Sequence, residues 1–148
     1  MRELITEIEI DALPEVVWRV LTDLEHYDQW NPFVRKAEGE VREGAKLAVE
    51  IAPPGGKPMT FKPTVVKAVP DREFRWLGHL LFPGLFDGEH IFEIVPLGEN
   101  QTRLVQREEF RGLLVPLFWG QLNTRTRQGF EDMNAALKKR AESYFMKA

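Results

Sequence analysis

From Leu4 to Asp11 apolar and polar residues alternate, with Leu4, Thr6, Ile8 and Ile10 on one face of an extended chain and Ile5, Glu7 and Glu9 on the other. A period of two predicts a half-buried strand. The period then changes: in PEVVWRVLTDL, Val17, Trp18, Val20, Leu21 and Leu24 recur on or near one helical face. Asp11 is placed to cap that helix, and Pro14 suits its first turn. A second short helical stretch, LEHYDQW, ends at Asn31-Pro32, because the residue before a proline is pushed away from helical angles. Two short helices in a V are expected.

From Phe33 onward strand-like runs alternate with turn signals at Arg42-Glu43-Gly44, Pro53-Pro54-Gly55-Gly56, Pro70-Asp71-Arg72 and Gly98-Glu99-Asn100. The runs are AKLAVEIA, MTFKPTVVKAV, EFRWLGHLL, GEHIFEIVPL and QTRLVQREEF. Short connections make them antiparallel, about six strands after the helices. Beyond Gly112 the spacing becomes helical again through Leu122, Thr126, Gly129, Phe130, Met133, Ala136, Leu137, Ala141 and Tyr144. One helix from about Pro116 to Tyr144 would be roughly 45 Å long.

A chain of 148 residues, 43% hydrophobic and 29% charged, fits one globular domain spanning 1–148 with a substantial core. A net charge of −3 argues against nucleic acid as a partner. The absence of cysteine excludes disulfides, thiolate metal sites and a cysteine nucleophile. The N-terminal stretch is charged throughout and reads as neither a signal peptide nor a membrane span, so a cytoplasmic protein without stable membrane insertion is expected. Asn100-Gln101-Thr102 is a chance sequon in that setting. His26, His79 and His90 lack metal-ligand spacing. No phosphate loop, dinucleotide fingerprint or nucleophile elbow appears, and no cofactor is expected.

The order strand, two short helices, about six antiparallel strands and one long helix is an uncommon one. PEVVWRVLTDLEHYDQWNPFV resembles the early helix pair of the START-like polyketide cyclase (SRPBCC) superfamily. FDGEHIFEIVPLGENQTRLVQREEFRGLLVP followed by GFEDMNAALKKRAE is similar to its late hairpin and C-terminal helix. The resemblance covers nearly the whole chain. It implies an α+β helix-grip fold, with a curved antiparallel sheet of about seven strands wrapped around the C-terminal helix. It is weak for function, because members bind or transform very different apolar ligands. It places the Trp30-Asn31-Pro32 segment at the edge of an internal cavity, where Trp30 either lines the pocket or, with Tyr27 and Phe33, seals the helix pair onto the sheet.

Alternation then assigns inward positions. Leu47, Val49 and Ile51 share one face, and Phe74, Trp76 and Gly78 another. His90 points in with Phe92 and Ile94. Leu104, Gln106, Glu108 and Phe110 point in together, opposite Arg103, Arg107, Glu109 and Arg111. An inward carboxylate is costly unless paired, hydrogen-bonded or protonated. A turn centred near Glu99 would bring His90 opposite Glu108.

The expectation is a protein that holds a small, mostly apolar molecule between sheet and C-terminal helix. The walls are Trp30, Leu47, Val49, Phe61, Trp76, Phe92, Phe130 and Met133, and His90, Gln106 and Glu108 orient the ligand. Two alternatives stand beside it. One is a cyclase or dehydratase with His90 and Glu108 as acid and base; the other is a ligand-free interaction module. HLLFPGLFDG and GLLVPLFWGQL supply either a cavity rim and portal or a contact for a partner or a second copy in a homodimer.

Overall fold

The computed structural model describes residues 1–146. Strand β1 (Arg2–Ile10) leads into helix α1 (Pro14–Thr22) and a 3-10 helix at Leu24–Gln29. Seven strands follow: β2 (Val34–Glu38), β3 (Ala48–Ile51), β4 (Met59–Phe61), β5 (Thr64–Val69), β6 (Glu73–His79), β7 (Asp87–Gly98) and β8 (Gln101–Arg111). Helix α2 (Val115–Gln121), a π-helical turn (Leu122–Thr126) and helix α3 (Arg127–Met146) close the chain.

β1, β8, β7, β6 and β5 form one antiparallel sheet in that order, and β2, β3 and β4 a second. The two join where Gly44–Leu47 reaches β5. Gly44 N–H donates to Val65 O at 2.8 Å, Val65 N–H to Ala45 O at 2.9 Å, and Leu47 N–H to Pro63 O at 2.8 Å. The sheet therefore continues from one edge to the other, and α3 lies against it through Phe130, Met133, Leu137 and Ala141, all fully buried. This is the helix-grip architecture.

Three details differ from the sequence reading. MTFKPTVVKAV forms two strands, not one, because Pro63 has no N–H to donate and the chain changes partner there, β4 pairing with β3 and β5 with β6. Asp11 does not cap α1. The N-cap is Leu13, without a side-chain bond, since Pro14 starts the helix three residues beyond Asp11, whose own N–H donates to Glu142 Oε2 on α3 at 2.8 Å. The terminal helix contains a π-helical turn. There Thr124 Oγ1 donates to Gly120 O at 2.8 Å, placing a side chain in the carbonyl ladder of the helix.

Around the 3-10 helix each group of the aromatic cluster has a structural task. The buried Tyr27 hydroxyl donates to Leu21 O at the end of α1, and burial pushes its phenol well above the usual range. Asn31 Oδ1 accepts from Phe33 N–H at 3.0 Å and Val34 N–H at 2.9 Å, turning the chain into β2. Phe33 then meets Phe130 edge-on at 5.5 Å.

Candidate functional site

The inward faces of β6, β7 and β8 carry one row of residues per pleat. Register sets Trp76, His90 and Glu108 side by side, with Phe74, Phe92 and Gln106 in the row beneath and Gly78, Gly88 and Phe110 in the row above. His90 thus lies directly opposite Glu108. Its ring is 1% exposed, flanked by Phe92 at 4.6 Å, Phe130 at 4.9 Å and Trp76 at 5.0 Å between centroids.

A directed chain of hydrogen bonds fixes the ring. Thr6 Oγ1 donates to the backbone oxygen of Gln106 at 2.8 Å, so it accepts from Asn134 Nδ2 at 2.9 Å. Asn134 Oδ1 accepts from Gln106 Nε2 at 2.7 Å, and the same amide nitrogen reaches Phe130 O at 3.3 Å. With its nitrogen so engaged, Gln106 presents Oε1 to His90 Nε2 at 2.9 Å. Two backbone carbonyls thereby set the polarity of the whole chain, and His90 carries its proton on Nε2. The other nitrogen, Nδ1, lies 3.3 Å from Glu108 Oε1. A neutral ring offers a lone pair there, and so does a carboxylate, so the pair is complementary when it holds one proton between them or when a ligand donor bridges them.

Glu108 has room because position 88 is glycine: a Cβ at Gly88 would fall on Glu108 Oε2. Its side chain is 17% exposed, facing a cavity of about 510 Å³ that opens to the surface. Val49, Phe61 and Trp76 form apolar wall, and His90 and Glu108 contribute the polar part of the inner end. The mouth lies among the β3–β4 loop (Pro53, Gly56, Lys57), the β6–β7 loop (Leu80, Phe86) and the helical stretch Phe118 to Thr126.

Six residues read from the sequence as site residues lie elsewhere. Trp30 packs edge-on against Tyr27 at 5.1 Å and helps seal the 3-10 helix rather than line the cavity. Leu47, Phe92, Phe130 and Met133 are buried in the core and do not line the cavity. Gln106, also fully buried, supports His90 without reaching the cavity.

Sequence reasoning missed Asn134, Lys57 and Arg125. Asn134 had a signal, being a polar residue in the apolar stripe Phe130, Leu137 and Ala141. Lys57 and Arg125 had none, since only the folded chain brings their loops together.

The two apolar stretches meet at the rim, where Leu113 N–H donates to Gly84 O at 3.2 Å and Leu114 N–H to Leu85 O at 3.0 Å. Leu80, Phe86 and Phe118 face the cavity, while Leu81, Phe82, Leu113 and Leu117 are exposed. His79, also on the wall, is tied to Asp87 at 2.7 Å. Burial pushes the Asp87 carboxyl up, but His79 and the Gly84 N–H outweigh it and hold it below its usual range. Away from the cavity, Asp23, Glu25 and His26 come within 4.8 Å of one another, with His26 already bonded to Asp23. Among the described residues no helix is long and apolar enough to cross a membrane.

Solved structures with the same fold include a START superfamily protein from Mycobacterium smegmatis, 22% identical, with a TM-score of 0.77 over 96% of this chain and 98% of that one. The ZhuI aromatase/cyclase from Streptomyces sp. R1128 is 18% identical, with a TM-score of 0.79 over 96% and 94%. Norcoclaurine synthase from Thalictrum flavum, solved with dopamine and hydroxybenzaldehyde, is 16% identical, with a TM-score of 0.74 over 96% and 87%. Comparison with curated protein sequences gives no match. The family model described as polyketide cyclase / dehydrase and lipid transport matches residues 1–142. With the sheet, the gripping helix and the cavity all present, and with that match running nearly from end to end, the chain belongs to this family.

Proposed function

We propose that this protein binds a small, mostly apolar molecule in the cavity, with a polar group of the ligand turned towards His90 and Glu108. The observation that carries the reading is a polar pair, with the His90 ring held in one orientation, at the inner end of a pocket whose inner walls are mostly apolar and which opens to the surface. A pocket of about 510 Å³ is within the usual range for ligands of drug size. The neighbour solved with dopamine and hydroxybenzaldehyde supports aromatic or carbonyl-bearing molecules as the class to try first.

The neutral naphthyl ketone Prodan tests this reading. It should bind one to one with blue-shifted emission, and Phe61→Arg, which places a charge on a partly buried wall position, should abolish the shift while the protein still melts cooperatively. Emission unchanged by the wild-type protein, or binding that survives Phe61→Arg, would overturn it.

A second reading, acid–base turnover of a poly-carbonyl substrate, is favoured by one observation, the approach of His90 Nδ1 to Glu108 Oε1 at the cavity wall. There a proton can pass to or from a bound ligand. It requires that Glu108→Gln abolish turnover while leaving affinity nearly intact.

A further inference from the structure

The cavity is electrically lopsided. At its inner end the acidic wall residue is Glu108, and His90 beside it is committed through Nε2 to Gln106. At its mouth stand two cations, Lys57 on the β3–β4 loop and Arg125 on the π-helical turn. Arg125 reaches the Gly55 carbonyl at 3.5 Å, two residues from Lys57, so both cations border the opening at the β3–β4 loop. Among the described residues neither cation has a carboxylate within ion-pair distance, although most other arginines around the sheet do. Arg35, Arg75, Arg103, Arg107 and Arg111 are all paired. Of the two histidines on the wall, His79 is occupied by Asp87 and His90 by Gln106.

Resting on the cavity-binding reading above, we infer that the ligand carries, besides the polar group turned towards His90 and Glu108, an anionic head, a carboxylate or a phosphate monoester, held at the mouth by Arg125 and Lys57 with its apolar body between the two. The direction follows from charge. An anion driven to the inner end would find no uncommitted cation there, since His90 is bonded through Nε2 to Gln106 and faces the Glu108 carboxyl through Nδ1. At the mouth the same anion meets two uncompensated cations, one of them a guanidinium whose planar fork matches a carboxylate or phosphate. The apolar wall between the two ends takes the body. The π-helical turn fits this role, since such turns recur at functional sites and here the turn carries Arg125 to the opening.

Competition against Prodan tests the inference with the matched pair decanoate and decan-1-ol. Decanoate should displace Prodan about tenfold more tightly than decan-1-ol, a ratio in keeping with two partly exposed charge contacts. The preference should shrink as ionic strength rises. Arg125→Gln with Lys57→Gln should bring decanoate to the affinity of decan-1-ol, leave decan-1-ol unchanged and leave the melting temperature unchanged. Decyl phosphate in the same assay tells a phosphate head from a carboxylate by which of the two displaces Prodan at the lower concentration. Equal affinity of the acid and the alcohol for the wild type overturns the inference. So does a preference that survives the double substitution but disappears in His90→Leu, which would put the head at the inner end. Failure of Prodan itself to bind is a different result, striking the cavity reading and not the placement of charge.

Discussion

Gly88 is the residue on which the inner end of the cavity turns. Its missing Cβ is the space that the Glu108 carboxylate occupies beside His90, and the displaced atoms would be the far end of a flexible side chain. Gly88→Ala should therefore swing the carboxylate away from His90 at little cost to the fold. The expected outcome is a melting temperature within a few degrees of wild type, a change of under about 1 kcal/mol, together with weaker Prodan binding. Equal binding by the variant would mean that Glu108 takes no part in holding the ligand. The residues behind His90 respond differently. Gln106, Asn134 and Thr6 are all buried and satisfy one another, so removing any one orphans a polar partner as well as releasing the ring. Substitutions there confound folding with function, and the glycine does not.

At the scale of elements, the sharpest constraint is the close approach of α3 to the Asn31-Pro32 turn. A Cβ at Gly129 would fall on the ring of Phe33, which is itself wedged against Phe130. Alanine would be the better helix former by about 1 kcal/mol, yet Gly129→Ala should destabilise the protein, because overpacking a filled core costs about 1–3 kcal/mol. Thermal unfolding checks this, and a melting temperature at or above wild type would show that Phe33 can yield. The alternation along β6, β7 and β8 made the inward rows legible in the sequence, including the pairing of His90 with Glu108, because an antiparallel hairpin with a short turn leaves little freedom of register. The cavity wall was less legible. Alternation says which way a side chain points but not whether another layer covers it, and so Phe92, Phe130 and Met133 read as wall when they are core. The second short helix was expected, but its 3-10 character and the π-helical turn were not legible for a related reason: both depend on local hydrogen bonds that compete with the regular helix, and spacing alone does not reveal which wins.

On the scale of the whole molecule, the outward face of the large sheet carries a lattice of charges. Arg75 bonds Glu73 and Glu89, Lys67 joins Glu73, and Arg107 holds Glu3, Glu93 and Glu109. Ile91 lies in register between Arg75 and Arg107 and is fully buried outside the main core, as a residue flanked by two long aliphatic stems can be. Burial pushes the Glu73 carboxyl up, but bonds from Arg75 and Lys67 outweigh it and hold it below the usual 4.5. Lys138 and the Asp11 N–H do the same for Glu142 on α3. Both groups bind protons less readily when folded than when unfolded, so their stabilisation is complete at neutral pH. It declines as the pH falls through about 4.5 and is lost below the depressed folded values. The urea midpoint should fall between about pH 7 and pH 3.5, and Glu73→Gln should flatten that fall; a midpoint independent of pH over this range would contradict it. The π-helical turn has its own consequence at this scale. It adds one residue to the helical path between Phe118 on the cavity wall and Phe130 in the core, and in a regular helix one residue is a rotation of about 100°. The turn is therefore a phase corrector. It brings two apolar stripes that would otherwise wind apart onto one side of the rod, so that the segment facing a ligand and the segment anchoring the fold share a single orientation.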